Sequence, residues 1–204
     1  MGAAWERWEG FWVAGVHRGA VCRTFDGELL TTRIAFEDGA GTLFASESLL
    51  RLAPSGETWH AFRYRQEPGG LEEGARREEA DLGADTLPAS GEYLLVAQLA
   101  ASAREGAVYR RVEEAAPDGL PAPAEVRRSP AEPVDLPEGR SVAAERFDVT
   151  AGGQRVASYW THGGAVVRSA WAGALCFAAA SGEDALVGTD RRLGAFLAEG
   201  FPPA

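Results

Sequence analysis

The stretch that decides the fold is residues 146–171, which read RFDVTAGGQRVASYWTHGGAVVRSAW. Two glycine pairs, Gly152-Gly153 and Gly163-Gly164, interrupt runs in which apolar and polar residues alternate. Paired glycines supply the positive φ angles that a two-residue hairpin turn requires. Alternation is typical of a strand with one buried face. The stretch therefore predicts three antiparallel strands joined by two tight turns.

If both turns are tight, the register of these strands follows by counting outward from the glycines. One face is then predicted to carry an aromatic and aliphatic set: Phe147, Val149, Val156, Trp160, Val167 and Trp171. In this register Val149 pairs with Val156, and Trp160 pairs with Val167. The opposite face is predicted to be wet, with Tyr159 stacked between the guanidinium groups of Arg146 and Arg168.

Further strands are predicted along most of the chain. Runs rich in apolar and β-branched residues, separated by Gly, Asp and Pro turns, lie at residues 11–16, 20–25, 29–37, 42–52, 58–66, 107–113 and 172–180. In the third of these runs, Leu30, Thr32, Ile34 and Phe36 form the inward set. The charged stretch 71–81 fits either a polar edge strand or a short helix. The proline-rich stretch 115–137 predicts a long connection that contains a short edge strand at 125–128.

Two stretches have helical periodicity. Ser90 precedes an apolar stripe from Tyr93 to Ala100, which predicts a helix with Ser90 as its N-cap. A second helix is predicted from Thr189, its N-cap, to Gly200. The fold class is therefore mainly β (α+β): a large curved antiparallel sheet, or half-barrel, with one central and one C-terminal helix in a single domain, residues 1–204. A closed calycin-like barrel is the alternative, and the embedded central helix favours the open form.

Composition excludes several classes of function. The formal charge of −10 argues against nucleic-acid binding, which needs clustered cations. The chain contains no lysine and no asparagine, so Schiff-base chemistry, a P-loop lysine and N-glycosylation are all excluded. No run is long and apolar enough for a membrane span. No leader is evident either, so a cytoplasmic location is expected, unless a leader was removed.

Candidate sites are few. His17 and His162 lie in predicted turns without a local metal-binding partner, and no cofactor or metal site is expected. Acidic pairs such as Glu113-Glu114 alternate faces on a strand, which indicates solvated surface. Cys22 and Cys176 fit two small buried side chains, although a bridge between them is not excluded. The aromatic residues Trp12, Phe147, Trp160 and Trp171 are the candidate ligand-binding wall.

The order of these parts resembles a known group of proteins. The segments 11–19, 93–100, 108–112 and 152–168 resemble the strand, helix, strand and long hairpin of uncharacterised bacterial proteins grouped with the envelope lipoprotein carriers, the LolA-like fold. The resemblance implies a half-barrel whose concave apolar face, partly covered by helix, holds acyl chains or a lipidated partner. Members of that group are usually exported, whereas this sequence shows no leader.

Three functions are compatible with the sequence. The first is non-enzymatic binding of a small hydrophobic ligand or acyl chain on the concave face, with no protein partner identified. The second is a protein–protein interaction module with an exposed apolar patch or sheet edge. The third is a hydrolase-type enzyme whose residues converge only in the fold. The sequence favours a non-enzymatic role.

Overall fold

The structure is a computed structural model that describes residues 3–202. It contains thirteen strands in a single sheet, three helices and one 3₁₀ turn. The strands are β1 (Trp5–Val13), β2 (Val16–Phe25), β3 (Leu29–Glu37), β4 (Leu43–Leu52), β5 (Trp59–Glu67), β6 (Leu71–Arg76), β7 (Thr86–Pro88), β8 (Gly106–Val112), β9 (Ala122–Asp135), β10 (Ser141–Ala151), β11 (Gln154–His162), β12 (Ala165–Trp171) and β13 (Ala174–Ala179). The helices are α1 (Glu92–Ala100), α2 (Gly182–Ala185) and α3 (Arg191–Glu199), and the 3₁₀ turn is Ala89–Gly91.

The sheet is open and strongly curved, as the predicted half-barrel requires. Its strand order is β6-β5-β4-β3-β2-β1-β13-β12-β11-β10-β9-β8-β7, so β6 and β7 are edges and the closed-barrel alternative is wrong. Neighbouring strands are antiparallel except for β7 and β8. Strands far apart in this order still meet across the interior. Val112 of β8 packs with Leu30, Leu50 and Trp59, and Trp59 Nε1 donates to the Thr86 carbonyl at 3.0 Å.

Both glycine turns form as predicted, but the predicted register holds only for the two residue pairs nearest each turn. All four turn glycines have positive φ, between 57° and 79°. After two pairs from each turn a bulge intervenes, so Val149 pairs with Ala157 and Trp160 pairs with Arg168. Val156 and Val167 are the extra residues. Each bulge bends its strand and increases the local twist, which contributes to the curvature of the sheet.

Two connecting regions are more regular than their composition indicates. The proline-rich stretch contains β9, a strand of 14 residues that pairs with β8 and β10, so the predicted connection with only a short edge strand at 125–128 is wrong. An irregularity opposite Ala144–Arg146, next to Pro130, accommodates part of this proline content. The charged stretch 71–81 is compatible by sequence with an edge strand or a short helix, and its first part forms the edge strand β6.

The helices lie on opposite faces of the sheet. The α1 helix lies on the concave face, where Tyr93, Val96 and Leu99 pack with Phe147 and Val149. A Cβ on Gly91 would lie 2.9 Å from Leu50, so glycine permits this close approach. On the convex face, α2 lies against β1, β2 and β13, and α3 covers small residues of β2 and β3. None of the helices within residues 3–202 is long and apolar enough to cross a membrane.

The two predicted helix caps are each displaced by one residue. Gly91, rather than Ser90, occupies the N-cap of α1 and makes no side-chain capping bond. Asp190, rather than Thr189, caps α3 by accepting a hydrogen bond from Arg192 N. At the C-terminal end of α1, Arg128 donates to the carbonyls of Leu99 and Ser102. A cation at this position complements the helix dipole.

Candidate functional site

The four aromatic residues predicted to form one ligand wall lie on two faces. Phe147 is fully buried beneath α1, and Trp171 lies on the same concave face. Trp160 and Trp12 lie on the convex face. Of the four, only Trp171 borders the cavity described below.

Trp160 changes face because of the bulge in the β10–β11 pair. An extra residue shifts the side-chain alternation by one position, so Tyr159 points into the core and Trp160 points outward. The predicted stack of Tyr159 between Arg146 and Arg168 is wrong, because Tyr159 is buried in the core. Trp160 pairs with Arg146 and Arg168 in register, and the Arg168 guanidinium carbon lies 4.4 Å from the Trp160 ring centroid.

The concave face contains a partly enclosed cavity of about 200 Å³ beside the N-terminal end of α1. Its apolar wall includes Ile34, Val156 and Ala157 together with aromatic rings. The aromatic members are Tyr64, Tyr93, Tyr159 and Trp171. The rest of the lining is largely polar, so the concave face, which the resemblance implies is apolar, is mixed in character at this place.

A row of polar side chains crosses the floor of the cavity from strand to strand. Arg23 of β2 pairs with Thr32 of β3, Thr32 pairs with Ser48 of β4, and Ser48 pairs with Tyr64 of β5. All four side chains line the cavity. Thr32 is buried, and its Oγ1 has no hydrogen-bond partner among residues 3–202. Such an orphan hydroxyl is costly, because burial removes its bonds to water.

Glu114 closes one side of the cavity and links distant strands. It follows β8, yet it accepts hydrogen bonds from the Ser48 hydroxyl of β4 and from Ser90, whose Oγ and backbone N–H both lie 2.8 Å from the carboxylate. Burial raises the pKa of the Glu114 carboxyl, and the hydrogen bonds from Ser48 and Ser90 only partly oppose this. Glu114 is therefore not the solvated residue that its sequence context indicates.

Glu92, the first residue of α1, is a second buried carboxylate on the cavity wall. Its Oε1 accepts hydrogen bonds from the Tyr109 hydroxyl at 2.6 Å and from Arg111 Nε at 2.8 Å. Burial raises the pKa of Glu92, while Arg111 and Tyr109 act in the opposite direction. Arg111 also donates to Glu113 at 2.5 Å, so this guanidinium has two carboxylate partners.

Arg23 is the buried cation of the cavity, and its charge is already matched. It forms a buried ion pair with Glu9, and its guanidinium carbon lies 4.4 Å from the Tyr93 ring centroid. Ser169 also donates to the Glu9 carboxylate, at 3.4 Å. The pair thus has the additional hydrogen bonding that a buried ion pair needs.

A second cavity of about 200 Å³ lies against α1 and is lined by different residues. Leucines from β4, β7 and α1 dominate this lining, namely Leu50, Leu52, Leu87, Leu94 and Leu95. Its buried polar groups are satisfied, since Trp59 Nε1 donates to Thr86 and the Thr86 hydroxyl donates to Gly83. It offers a control for experiments on the first cavity.

Cysteine and histidine do not contribute to the first cavity. Cys22 and Cys176 are free and buried, and they lie in clusters on opposite faces of the sheet, so they cannot bridge. His17 stacks on Trp12 with ring centroids 4.8 Å apart, and His162 contacts the Ala143 carbonyl. Within residues 3–202, no three His, Cys, Asp or Glu side chains are placed to hold a metal ion.

The fold defines an open, β-barrel-like protein whose concave face carries a helix. No protein-family model and no curated protein sequence matches the chain. Among solved structures, it is similar to a β-barrel-like protein of the domain of unknown function DUF1849 from Brucella abortus, with a TM-score of 0.52 and 9% sequence identity. The match covers 85% of this chain and 93% of that one. At this identity the likeness is one of fold alone.

Proposed function

We propose that this protein binds a small amphipathic molecule, without chemistry of its own, in the concave-face cavity next to α1. The observation that carries the proposal is the buried Thr32 hydroxyl, which has no hydrogen-bond partner among the described residues and lies at a cavity lined also by aromatic rings and buried carboxylates. Apolar walls with a few convergent polar groups are typical of ligand sites. A bound molecule would provide the hydrogen bond that Thr32 lacks.

The size of the cavity narrows the class of ligand. A cavity of about 150 Å³ is enough for benzene, so about 200 Å³ suits a single ring or a short branched chain with one polar end. A long acyl chain, as the resemblance to lipoprotein carriers implies, needs considerably more space. We therefore favour a compact ligand over an acyl chain.

Native and denaturing mass spectrometry of the purified protein is the first test. Mass above 21.6 kDa that is lost on denaturation would reveal a co-purified non-covalent ligand. As a defined probe we choose 2-phenylethanol, followed by ligand-observed NMR. At about 0.5 kcal/mol for each of its roughly nine heavy atoms, the expected Kd is about 0.5 mM.

Two matched variants locate the binding site. Ala157→Leu adds volume to the wall of the first cavity, and Ala107→Leu adds the same volume to the second. We expect Ala157→Leu to weaken binding of 2-phenylethanol at least about tenfold and Ala107→Leu to leave it unchanged. The reverse result would place the ligand among the leucines. If no ligand co-purifies and the probe does not bind, the proposed function is wrong.

A further inference from the structure

We infer that the concave-face cavity selects cationic ligands, namely small organic ammonium ions with an apolar body, and that Glu114 recognises their charge. The inference rests on the proposed function, since it names the class of ligand for the same cavity. It depends on three features of the lining: its charge balance, the orphan Thr32 hydroxyl and the aromatic rings.

The charges around the cavity favour a cation. Both arginines of the lining, Arg23 and Arg111, already have carboxylate partners. Those partners are Glu9, Glu92 and Glu113, and Glu114 adds a fourth carboxylate against the two guanidinium groups. An anionic ligand would have to displace one of these carboxylates from its arginine, whereas a cationic ligand would offset the excess of negative charge.

Of these four carboxylates, Glu114 differs from the other three, each of which forms an ion pair with an arginine. Its oxygens accept hydrogen bonds from two serine hydroxyls and one backbone amide, and it forms no ion pair with any residue of the described range 3–202. Buried carboxylates are usually paired, because removing a charge from water is expensive. An ammonium group at the cavity wall would supply the missing opposite charge.

Thr32 provides an independent indication of where the ligand's polar end lies. Thr32 is cross-strand neighbour to Ser48, and the Ser48 hydroxyl donates to Glu114, so the orphan oxygen is next to the carboxylate's hydrogen-bond network. A hydroxyl oxygen accepts hydrogen bonds, and an ammonium group offers up to three donors. An ammonium group placed between these two residues would have donors for both Thr32 and Glu114.

The aromatic rings on the opposite wall suit the same class of ligand. Tyr159 and Trp171 line the cavity beside Val156 and Ala157. Ring faces attract cations and also pack against apolar groups. The ligand's charged end and its apolar body would thus both find matching surfaces.

Three probes of similar size test the inference: 2-phenylethylammonium, 2-phenylethanol and phenylacetate, each titrated against the wild-type protein. We expect the ammonium ion to bind at least about tenfold more tightly than the alcohol, since a hydrogen bond to a charged group is stronger than one to a neutral group. The carboxylate is expected to bind most weakly. Equal binding of ammonium and alcohol, or tighter binding of the carboxylate, would overturn the inference and leave the proposed function intact.

The variant Glu114→Gln assigns the preference to one residue. It should remove the advantage of the ammonium ion while the alcohol still binds. The matched variant Glu125→Gln removes a carboxylate that lies outside the cavity lining and has an arginine partner, Arg127, and it should keep the preference to within about threefold. If Glu114→Gln does not fold, the comparison of probes on the wild-type protein still decides whether the cavity selects cations. A preference that persists in folded Glu114→Gln would show that Glu114 is not the recognition residue.

Discussion

The two longer helices each pack on the sheet near a buried carboxylate, and the two carboxylates are compensated differently. Next to α3, Glu47 accepts a hydrogen bond from Arg33 at 2.7 Å, and Arg33 also donates to the carbonyls of Leu197 and Ala198. Next to α1, Glu114 accepts bonds from hydroxyls and an amide and has no ion pair within residues 3–202. On the convex face, the Glu47 carboxylate is thus paired with a cation of the protein itself. The concave contact contains a buried carboxyl group, Glu114, that packing alone does not require.

The largest expected effect comes from breaking the buried ion pair on the concave face. Arg23→Met should lower the free energy of unfolding by about 3–5 kcal/mol, because it leaves the Glu9 carboxylate buried and unpaired. Urea denaturation measures the change. Arg63→Met, which removes one partner of the exposed pair with Glu72, is the control and should cost less than about 1 kcal/mol.

A double variant separates charge from packing at this position. Adding Glu9→Gln to Arg23→Met removes the stranded charge and should recover part of the lost stability. A single variant Arg23→Met that is as stable as the control would contradict the burial of this pair.

The convex counterpart is Arg33→Met, with a smaller expected effect. The Arg33 side chain is 18% exposed, so water can partly solvate the Glu47 carboxylate once the guanidinium group is removed. We expect a loss of about 2–3 kcal/mol from the unpaired Glu47 and the uncapped C-terminal end of α3. Binding of 2-phenylethanol should not change, because the contact lies on the other face. A weakened Kd in a folded Arg33→Met protein would show that the two faces are coupled.

The contrast between Glu114 and Glu47 can be tested by the pH dependence of the free energy of unfolding, compared between the wild type and Glu114→Gln. The folded-state pKa of Glu114 is raised by burial, so its protonated form is favoured on folding. The stability contributed by this group is therefore greatest below the pKa of the unfolded chain and is lost as pH rises through the folded pKa. As pH rises from about 4, near the usual glutamate pKa, towards pH 7, the wild type should lose stability relative to Glu114→Gln.

Paired denaturation curves across this pH range measure the difference. Glu92, whose pKa is also raised by burial, is present in both proteins and cancels in the comparison. Glu113→Gln controls for the loss of one negative charge from this region. If the wild type instead gains stability relative to Glu114→Gln as pH rises, Glu114 has a cationic partner in solution and the contrast with Glu47 disappears.

The sequence predicts the sheet better than it predicts the site, for a physical reason. The glycine pairs fix turns locally, and alternation in β3 places Leu30, Ile34 and Phe36 inward as predicted. Bulges are set by packing across strands, so the faces of Tyr159 and Trp160 could not be read from spacing. The cavity depends on Ser48 and Glu114, which lie 66 positions apart and meet only through the curvature of the sheet.

One signal of the cavity was available in the sequence. Thr32 is the only hydroxyl residue in the otherwise apolar inward set of β3. A polar residue within a buried stripe indicates either a satisfied hydrogen bond or a site. Arg23 interrupts the buried residues of β2 in the same way, between Val21 and Phe25. Arg23 and Thr32 are neighbours only across the paired strands, so the sequence does not show their proximity until the register of β2 and β3 is known.

The smallest expected effect concerns the aromatic residue that changed face. Trp160→Ala should change the Kd for 2-phenylethanol by less than about twofold, because the ring lies on the convex face against Arg168 and Glu132. Trp171→Ala, which removes a ring from the cavity wall, should weaken binding at least about fivefold. Titrations of both folded variants by ligand-observed NMR make the comparison. Equal losses in the two variants would mean that the register, and not only the ligand site, differs from the one described. A bulge of one extra residue, Val156, determines which face Trp160 occupies.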